Sequence, residues 1–393
     1  MAWGLLGFAA AAIAAFVSFQ DNSLVADELV HYPQIVVFAR GYSRIDPRLT
    51  MIPGYHALLA SMAWAADARS VTAIRLFTFI VGLGAVSAFY LTARAEQDRD
   101  PIATTLQFAF LPIAFPLFFL IYTDITSLLF VLLMVLSAVK KRPRQAGLFG
   151  LISCLIRQNN VVWVAFVLVW SYVDENGWTW APIKQTLGKY WLFLLTGTLF
   201  VVFVFANRGV AIGDESAHPV SAVHFGNVFF LVFLSFFLFL PLFWARRREA
   251  LSPMRTWPAW LGVGALFATF WLGFSVDHPY NTQWGDRYLR NAALIFFSST
   301  SLSKFAFFVP VALAMLSLRV VRLRSHWWLL YPFTILFLLP AWLIEQRYYL
   351  IPLSLFLLAR EPLGDFVERL QVGWFFVMSI VLFVVVERGW IFM

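Results

Sequence analysis

Long apolar stretches separated by short polar segments run through the whole chain. A membrane-spanning helix needs about 20 predominantly apolar residues, and residues 2–19 supply the first such stretch without a charge. β-Barrel strands would alternate apolar and polar residues instead. The pattern therefore predicts an all-α polytopic membrane protein. The further predicted spans are residues 71–93, 102–122, 125–139, 190–206, 224–244, 257–275, 302–319, 327–344, 348–360 and 371–387.

A large polar and aromatic segment, residues 20–70, separates the first two predicted spans. Within it, residues 27–40 have the pattern of an amphipathic helix, and residues 53–66 form a short apolar helix. A stretch of about 14 residues is too short to cross a bilayer comfortably. We therefore expect both helices to lie at the membrane surface, within one large first loop.

The apolar stretch 146–173 is interrupted by polar residues 157–160. Cytoplasmic loops are enriched in Lys and Arg, and basic clusters occur at residues 140–144 and 246–248. Both clusters fall on the cytoplasmic side if 146–173 forms two short helices that meet at an outer tip. This topology has about 13 helices in a single domain over residues 1–393. Its outer polar segments are 20–70, 157–160, 207–222 and 276–301, joined by the turn at 345–349.

The composition agrees with this class, because 61% of the residues are apolar and only 13% are charged. Soluble domains carry about 25% charged residues. The formal net charge of +8 is typical of the positive-inside rule and does not indicate a nucleic-acid partner. The histidines lack metal-ligand spacing and no nucleotide-binding glycine motif occurs, so we expect neither a metal nor another cofactor.

Adjacent acids in the first loop, Asp27 and Glu28, are the first candidates for chemistry, with His31 and Gln34 just after them. A carboxylate facing an enclosed site can act as a general base. The alternative is structural, because acids at a helix start cap it and interact favourably with its dipole. Spacing alone leaves both interpretations open.

Three arginines of the outer segments, Arg157, Arg287 and Arg347, are candidates for phosphate binding. The planar guanidinium donates two parallel hydrogen bonds, which suits phosphate oxygens. Charged groups near membrane depth are unfavourable unless they are paired. The alternative is therefore an ion pair, of Arg287 with Asp286 or of Arg347 with Glu345.

Other polar and aromatic residues of these segments could contact a sugar. Asp214 and His218 belong to a compact polar loop, and Tyr288 and Tyr348 could stack on a sugar ring. A solvated turn explains the loop equally well, and aromatic belts concentrate Tyr and Trp at membrane interfaces. These residues become stronger candidates when the motifs are considered together.

The motifs occur in the same order as in one known family. The chain resembles the dolichyl-phosphate-glucose α-1,2-glucosyltransferases, which add the terminal glucose to the lipid-linked N-glycan precursor. The motifs that carry the resemblance are DELVHYPQ (27–34), DP (46–47), TMIPGY (50–55), YTD (122–124), IRQNNVVW (156–163), IGD (212–214) with Ser216 and His218, HF (224–225), DRY (286–288) and EQRYYLIP (345–352).

This resemblance implies a C-type membrane glycosyltransferase fold and an inverting transfer of glucose, or a related hexose, from a polyprenyl- or dolichyl-phosphate donor to a lipid-linked glycan. It implies a site on the periplasmic side of a bacterial inner membrane, because the compact chain looks bacterial, or on the lumenal side of the endoplasmic reticulum. Asp27 would be the base with Glu28 as neighbour or substitute, and the three arginines would hold the donor phosphate. The implied substrate-binding residues are His31, Gln34, Gln158, Asn159, Asp214, His218, Tyr288, Glu345 and Tyr348.

A transporter or flippase for a lipid-linked saccharide is the competing interpretation. It would also need many helices, outer arginines and a hydrophobic path. Transporters often contain internal repeats and place polar residues near the midplane. The chain shows no clear repeat and gathers its polar residues on one side, which favours an enzyme.

Overall fold

The computed structural model describes residues 2–18, 23–96, 98–179, 187–213, 223–283, 285, 287–390 and 392. The protein is 74% helical, and these ranges contain no β-strand. The prediction of an all-α protein is confirmed.

The chain folds into two compact units. Unit 1 comprises Met1–Ala109, Ala114–Pro219 and Ser325–Phe333, and unit 2 comprises Phe110–Ile113, Val220–Arg324 and Thr334–Met393. The single functional domain expected over residues 1–393 stays a prediction.

Nine helices of the described residues belong to unit 1. Within this unit α2 packs on α3, while α4, α6 and α7 pack side by side. The helices are α1 (Ala2–Ser18), α2 (Glu28–Ala39), α3 (Gly54–Ala65), α4 (Val71–Ala95), α5 (Pro101–Ala109), α6 (Thr123–Val139), α7 (Pro143–Ile156), α8 (Val161–Asn176) and α9 (Trp191–Asn207).

The two first-loop helices, α2 and α3, are part of the hydrophobic core of unit 1. Ile35 of α2 and Leu59 of α3 are fully buried together with Ile74 of α4. A Cβ atom at Gly54 would lie 2.4 Å from the carbonyl oxygen of Leu155, so a glycine is needed where α3 begins against α7. Both helices were predicted within two residues of their bounds, whereas their place at the membrane surface stays a prediction.

The predicted break in the stretch 146–173 is confirmed. Helix α7 ends at Ile156, a 3₁₀ turn covers Gln158–Asn160, and α8 begins at Val161. The Asn160 amide nitrogen donates to the Ser127 hydroxyl at 2.7 Å and to the Ser153 carbonyl at 2.8 Å. These bonds fix the break to the neighbouring helix α6 and to the end of α7.

The predicted span 102–122 is wrong in its second half. Helix α5 ends at Ala109, and the chain continues irregularly, with one 3₁₀ turn at Phe115–Phe118, until α6 begins. All residues of 110–122 are nevertheless buried. Pro112 and Pro116 explain the difference, because proline lacks the N–H that a continuing helix would need.

The other helices are in unit 2, except that the boundary between the units falls inside α17. They are α10 (Gly226–Leu238), α11 (Leu240–Ala245), α12 (Arg247–Leu251), α13 (Trp257–Gly273), α14 (Pro279–Thr282), α15 (Leu289–Ser298), α16 (Ser301–Leu318), α17 (Leu330–Leu338), α18 (Leu350–Ala359) and α19 (Asp365–Glu387).

Stacked phenylalanines form the core of unit 2. The Phe307 ring of α16 lies 4.1 Å from that of Phe233 in α10 and 4.7 Å from that of Phe274, measured between centroids. The predicted span 224–244 is broken between α10 and α11, because Pro241 lies in the first turn of α11. Proline is favourable there but could not continue the preceding helix.

Among the residues that the structure describes, three helices are long and apolar enough to cross a membrane: α4, α16 and α19. Shorter apolar helices accompany them, among them α6, α9, α10 and α13. The chain is therefore an all-α membrane protein. The count of about 13 helices and the C-type fold stay predictions.

Candidate active site

The start of α2 is the centre of a polar network in unit 1. Asp27 is the N-cap residue of α2, and its side chain is half-buried and forms no capping hydrogen bond. Its main-chain N–H donates to the Tyr122 hydroxyl at 3.3 Å. Ala26 before it has a left-handed φ of 48°, an unfavourable conformation for a residue with a Cβ atom. The geometry does not support the helix-capping explanation of the Asp27 carboxylate.

The neighbouring carboxylate of Glu28 is fully buried in a two-pronged pair with Arg75 of α4. Arg75 Nε donates to Oε1 at 3.0 Å, and Nη2 donates to Oε2 at 2.5 Å. The main-chain N–H groups of Val25 and Ile121 donate to the same two oxygens, each at 2.9 Å. Glu28 therefore ties together α4, the segment before α2 and the buried irregular segment.

Sequence reasoning missed Arg75. It lies in the first turns of an apolar helix, 47 positions from its partner. A charge in such a stretch requires a partner at membrane depth, and this signal was present in the sequence. The identity of the partner was not, because no local spacing connects Arg75 with Glu28.

Arg157 pairs with Asp124, which lies in the first turn of α6. Asp124 is buried and Arg157 is half-buried, with 19% of its side chain exposed. The ion-pair interpretation therefore holds for Arg157, with a distant acid that was not predicted as a site residue. A guanidinium with an exposed portion can still meet an anion.

Two glutamines hold the loops around this network. The Gln158 amide nitrogen donates to the carbonyls of Thr50 and Val210, both at 2.8 Å, and its oxygen accepts from the Ile52 N–H. The structure thus brings together parts of three predicted outer segments, 20–70, 157–160 and 207–222. A Cβ atom at Gly213, which has a φ of 73°, would lie 2.3 Å from the Pro47 carbonyl oxygen.

The Gln34 side chain holds the middle of the first loop through hydrogen bonds to its main chain. Its amide nitrogen donates to the Arg44 carbonyl at 2.9 Å, and its oxygen accepts from the Asp46 N–H at 2.7 Å. The Arg48 side chain holds the pKa of Asp46 below its ordinary value. The amides of Gln34 and Gln158 are thus used to hold loops, and contact of either residue with substrate stays a prediction.

His31, one helical turn after Asp27, forms a buried pair with His56 of α3. His31 Nδ1 and His56 Nε2 are 3.0 Å apart. The His31 ring also contacts the rings of Tyr55 and Tyr122 edge-on. Burial, and then the proximity of His31, lowers the pKa of His56 well below its ordinary value. Since residues i and i+4 share a helix face, His31 and Asp27 lie on the same side of α2.

The second polar network lies within unit 2 and is centred on Glu345. Arg290 of α15 donates from Nη1 to Oε1 of Glu345 at 2.9 Å, and both side chains are buried. Arg347 donates from Nη2 to Oε2 at the longer distance of 3.4 Å and keeps 21% of its side chain exposed. The ion pair of Arg347 with Glu345, which was the alternative to a phosphate site, is observed, and Arg290 is a further partner that sequence reasoning missed.

Asparagines fix the main chain around Glu345. The Asn227 oxygen accepts from the Glu345 N–H and from the Tyr349 hydroxyl, while its nitrogen donates to two carbonyls just before the turn. Asn281 bonds both the N–H and the carbonyl of Ile344. These bonds join the predicted segment 276–301 to the turn at 345–349, as the sequence predicts.

The remaining predicted residues differ in how far the structure describes them. Arg287 is exposed, and the Arg290 guanidinium lies 4.7 Å above the Tyr288 ring. Tyr348 and Asn159 are half-buried. The predictions for Asp214, His218 and Asp286 fall outside the described residues.

Histidine, cysteine and acidic side chains form no group of three that could hold a metal within the described ranges. Two such networks of acids, arginines and amides can bind an anion and accept a proton. The DIE2/ALG10 family matches residues 22–181 and 171–358, and thus both networks. The chain belongs to the DIE2/ALG10 family. The resemblance drawn from the sequence motifs is confirmed.

Relatives in several organisms carry the name Dol-P-Glc:Glc(2)Man(9)GlcNAc(2)-PP-Dol alpha-1,2-glucosyltransferase. One from Homo sapiens is 24% identical and the match covers 54% of this chain and 56% of the relative. A second human protein is 23% identical with 83% and 81% covered, and one from Arabidopsis thaliana is 25% identical with 89% of each covered. The chain thus spans about three fifths of the first relatives, from human, mouse and rat. No solved structure matches it significantly.

Proposed function

We propose that this chain transfers glucose, or a related hexose, from a polyprenyl- or dolichyl-phosphate donor to a lipid-linked glycan and forms an α-1,2 bond. The observation that carries the proposal is the family match over residues 22–181 and 171–358. The relatives of this family are named for that donor, acceptor and bond. The two arginine-containing networks fit substrates that carry phosphate.

Asp27 is the proposed general base. Its neighbour Glu28 accepts hydrogen bonds from Arg75 and two main-chain N–H groups and is inaccessible. Asp27, by contrast, is half-buried and does not cap its helix. The bond from its main chain to Tyr122 and the anchored residue beside it hold it in a defined position. These contacts favour Asp27 over Glu28, which spacing alone left equivalent.

In the proposed reaction the acceptor hydroxyl attacks the anomeric carbon of the donor. A new C–O bond forms as the bond from that carbon to the phosphate oxygen breaks. Asp27 takes the hydroxyl proton, a step worth about 10²–10⁴ in rate. The phosphate leaves with the bonding electrons and, being a weak base, needs no proton. Attack opposite to the leaving group converts a β-linked donor into an α-linked product.

Arginines of each unit are proposed to hold phosphate oxygens. Arg347 is the best candidate in unit 2, because its contact with Glu345 is long and part of its side chain is exposed. In unit 1, Arg157 also has an exposed portion beyond its pair with Asp124. Arg287 is exposed as well. A guanidinium that contacts the leaving phosphate would stabilise the charge that develops there.

The sugar and the acceptor are proposed to contact polar residues of the predicted outer segments. The predicted set is His31, Gln34, Gln158, Asn159, Asp214, His218, Tyr288, Glu345 and Tyr348. We place the reaction on the outer or lumenal side of the membrane, where the proposed topology gathers these segments. Membrane lipid, the donor and the acceptor are the proposed partners.

Transfer of labelled glucose in detergent tests this function. The purified protein is incubated with a synthetic β-linked polyprenyl-phosphate-glucose and a panel of glycan acceptors. We expect one acceptor to gain a glucose that an α-specific glucosidase removes and a β-specific one does not. A β-linked product would contradict the inverting mechanism, and no product with any donor and acceptor would contradict the function.

A further inference from the structure

Gln346 is a buried amide whose polar atoms have no partner. It begins the 3₁₀ turn Gln346–Tyr349 and is only 5% exposed. Neither its Nε2 nor its Oε1 forms a hydrogen bond with any residue that the structure describes. An amide offers two donors and one acceptor with two lone pairs. Native proteins rarely bury such a group unpaired, and an exception calls for an explanation such as a ligand.

Other buried amides in unit 2 each make at least one hydrogen bond, which sets Gln346 apart from them. The amides of Asn227 and Asn281 are bonded through both nitrogen and oxygen, at 2.8–3.1 Å. Asn291 is likewise bonded through both atoms. Gln371 of α19 keeps a bond of 2.8 Å from its nitrogen to the Leu238 carbonyl, while its oxygen has no partner among the described residues. Gln346 differs from these amides because neither its nitrogen nor its oxygen is bonded to a described residue. It nevertheless lies next to residues whose main chain the asparagines hold.

The turn that carries Gln346 is fixed on both sides. The Asn227 oxygen accepts from the Glu345 N–H at 3.1 Å and from the Tyr349 hydroxyl at 2.8 Å. Asn281 holds Ile344 through its N–H and its carbonyl. The main chain on both sides of Gln346 is therefore held in place, and this arrangement positions its amide within the protein.

The charges beside Gln346 indicate what it could bind. Glu345 on one side is shared by two arginines, Arg290 and Arg347, so these three side chains carry one net positive charge. Arg347 follows Gln346 directly and is the partly exposed member. An anion that also carries hydroxyl groups would match both features. A hydroxyl donates and accepts, which complements an amide that does the same.

We propose that the Gln346 amide binds a hydroxyl of the donor hexose, beside the phosphate held by Arg347. This assignment rests on the proposed function and adds a residue that recognises the sugar. It explains why the amide is buried and unpaired without substrate. It also predicts that the Gln346 side chain adds no stability through hydrogen bonds, because it makes none with the residues that the structure describes.

The test compares Gln346→Leu with the wild-type full chain in transfer kinetics, using polyprenyl-phosphate-glucose and four donors that each lack one glucose hydroxyl. We expect the donor KM to rise about 10-fold, as for loss of a hydrogen bond left unpaired, with the acceptor KM unchanged. One deoxy donor should be about 10-fold poorer for the wild type but no poorer than the normal donor for the variant. The melting temperature should stay level or rise.

Gln346→Met serves as a second variant of similar length if the leucine variant does not fold. Gln371→Leu is the matched control, a buried glutamine elsewhere in unit 2, and should leave the donor KM unchanged. Wild-type kinetics in the Gln346 variants, equal losses for all deoxy donors, or a rise in the acceptor KM alone would overturn the assignment. The wild type is assayed first. If it transfers no glucose, the proposed function is overturned, and the assignment of Gln346 is overturned with it.

Discussion

Glu28 and Glu345 are each paired with arginine, but their surroundings differ. Glu28 receives four hydrogen bonds, from Arg75 and two main-chain N–H groups, and both side chains of the ion pair are buried. Glu345 lies between Arg290, which is buried, and Arg347, which is partly exposed and 3.4 Å away. The ion pair of Glu28 is buried, whereas Glu345 has in Arg347 a second arginine whose side chain is partly exposed.

The two glutamates have a structural role, whereas the partly exposed groups beside them can contact a substrate. A buried carboxylate with all its lone pairs occupied contributes position and rigidity. A half-buried group next to such an anchor is held in place and can still meet a substrate. In unit 1 that group is Asp27 beside Glu28, and in unit 2 it is Arg347 beside Glu345.

The largest effect is expected for Asp27→Asn. Transfer should fall by about 10²–10⁴, because the amide cannot accept the hydroxyl proton. The melting temperature should stay close to that of the wild type, because Asn keeps the size and hydrogen-bonding capacity of the side chain. Asp67→Asn, an exposed acid of the same loop paired with Arg69, is the control and should transfer normally. Wild-type activity of Asp27→Asn would remove Asp27 from the base role.

Glu28→Gln should mainly reduce stability. Removing one member of a buried pair leaves Arg75 uncompensated, which costs about 3–5 kcal/mol of unfolding free energy. Replacing both residues by methionine should recover part of that loss. Glu249→Gln, which breaks the exposed pair with Arg246, should change stability by about 1 kcal/mol or less. Denaturant titration measures all three. A stable Glu28→Gln protein without activity would reverse the roles given to Asp27 and Glu28.

Arg347→Met should weaken donor binding with little change in stability. A hydrogen bond to a charged group is worth about 1.5–3 kcal/mol, so we expect the donor KM to rise roughly 10–100-fold. Arg290→Met should instead destabilise the protein, because Arg290 is buried against Glu345. Kinetics and melting curves of the two variants give the comparison. Equal effects of both on stability and on KM would show that the two arginines do not differ in role.

The smallest effect concerns pH. The folded protein holds His56 neutral, since burial and His31 lower its pKa, while the unfolded chain protonates it near pH 6.5. The unfolded state therefore binds more protons below that pH, and stability falls as the pH decreases, by at most about 1.4 kcal/mol per pH unit. His56→Phe should flatten this acid dependence between pH 6.5 and 5. An unchanged slope in the unfolding free energy would exclude His56 as its cause.

The helices could largely be predicted from the sequence, because apolar length and breaker residues are local signals. The break at 157–160 and the helices of the first loop follow from a few neighbouring residues. The irregular path of 110–122 could not be predicted in the same way. Its residues are as apolar as those of a helix, and the outcome depends on how two prolines are accommodated in a buried environment.

The site could be predicted in part. The Arg347–Glu345 pair was visible because the residues are two positions apart. The pairs Arg75–Glu28, Arg157–Asp124 and Arg290–Glu345 join residues 47, 33 and 55 positions apart. Hydrophobic periodicity indicates which face of a helix is buried, but it does not indicate which distant charge meets another. For the same reason Asp27 and Glu28 could be told apart only by their contacts.

The central claim is that this protein moves a sugar and not a whole lipid. The most direct measurement uses vesicles that contain the purified protein, a labelled polyprenyl-phosphate-glucose and a lipid-linked glycan acceptor, and it follows both label transfer and lipid movement between leaflets. We predict that glucose label appears on the acceptor while the lipid crosses no faster than in protein-free vesicles. Accelerated crossing without any labelled acceptor would contradict the account and identify a flippase.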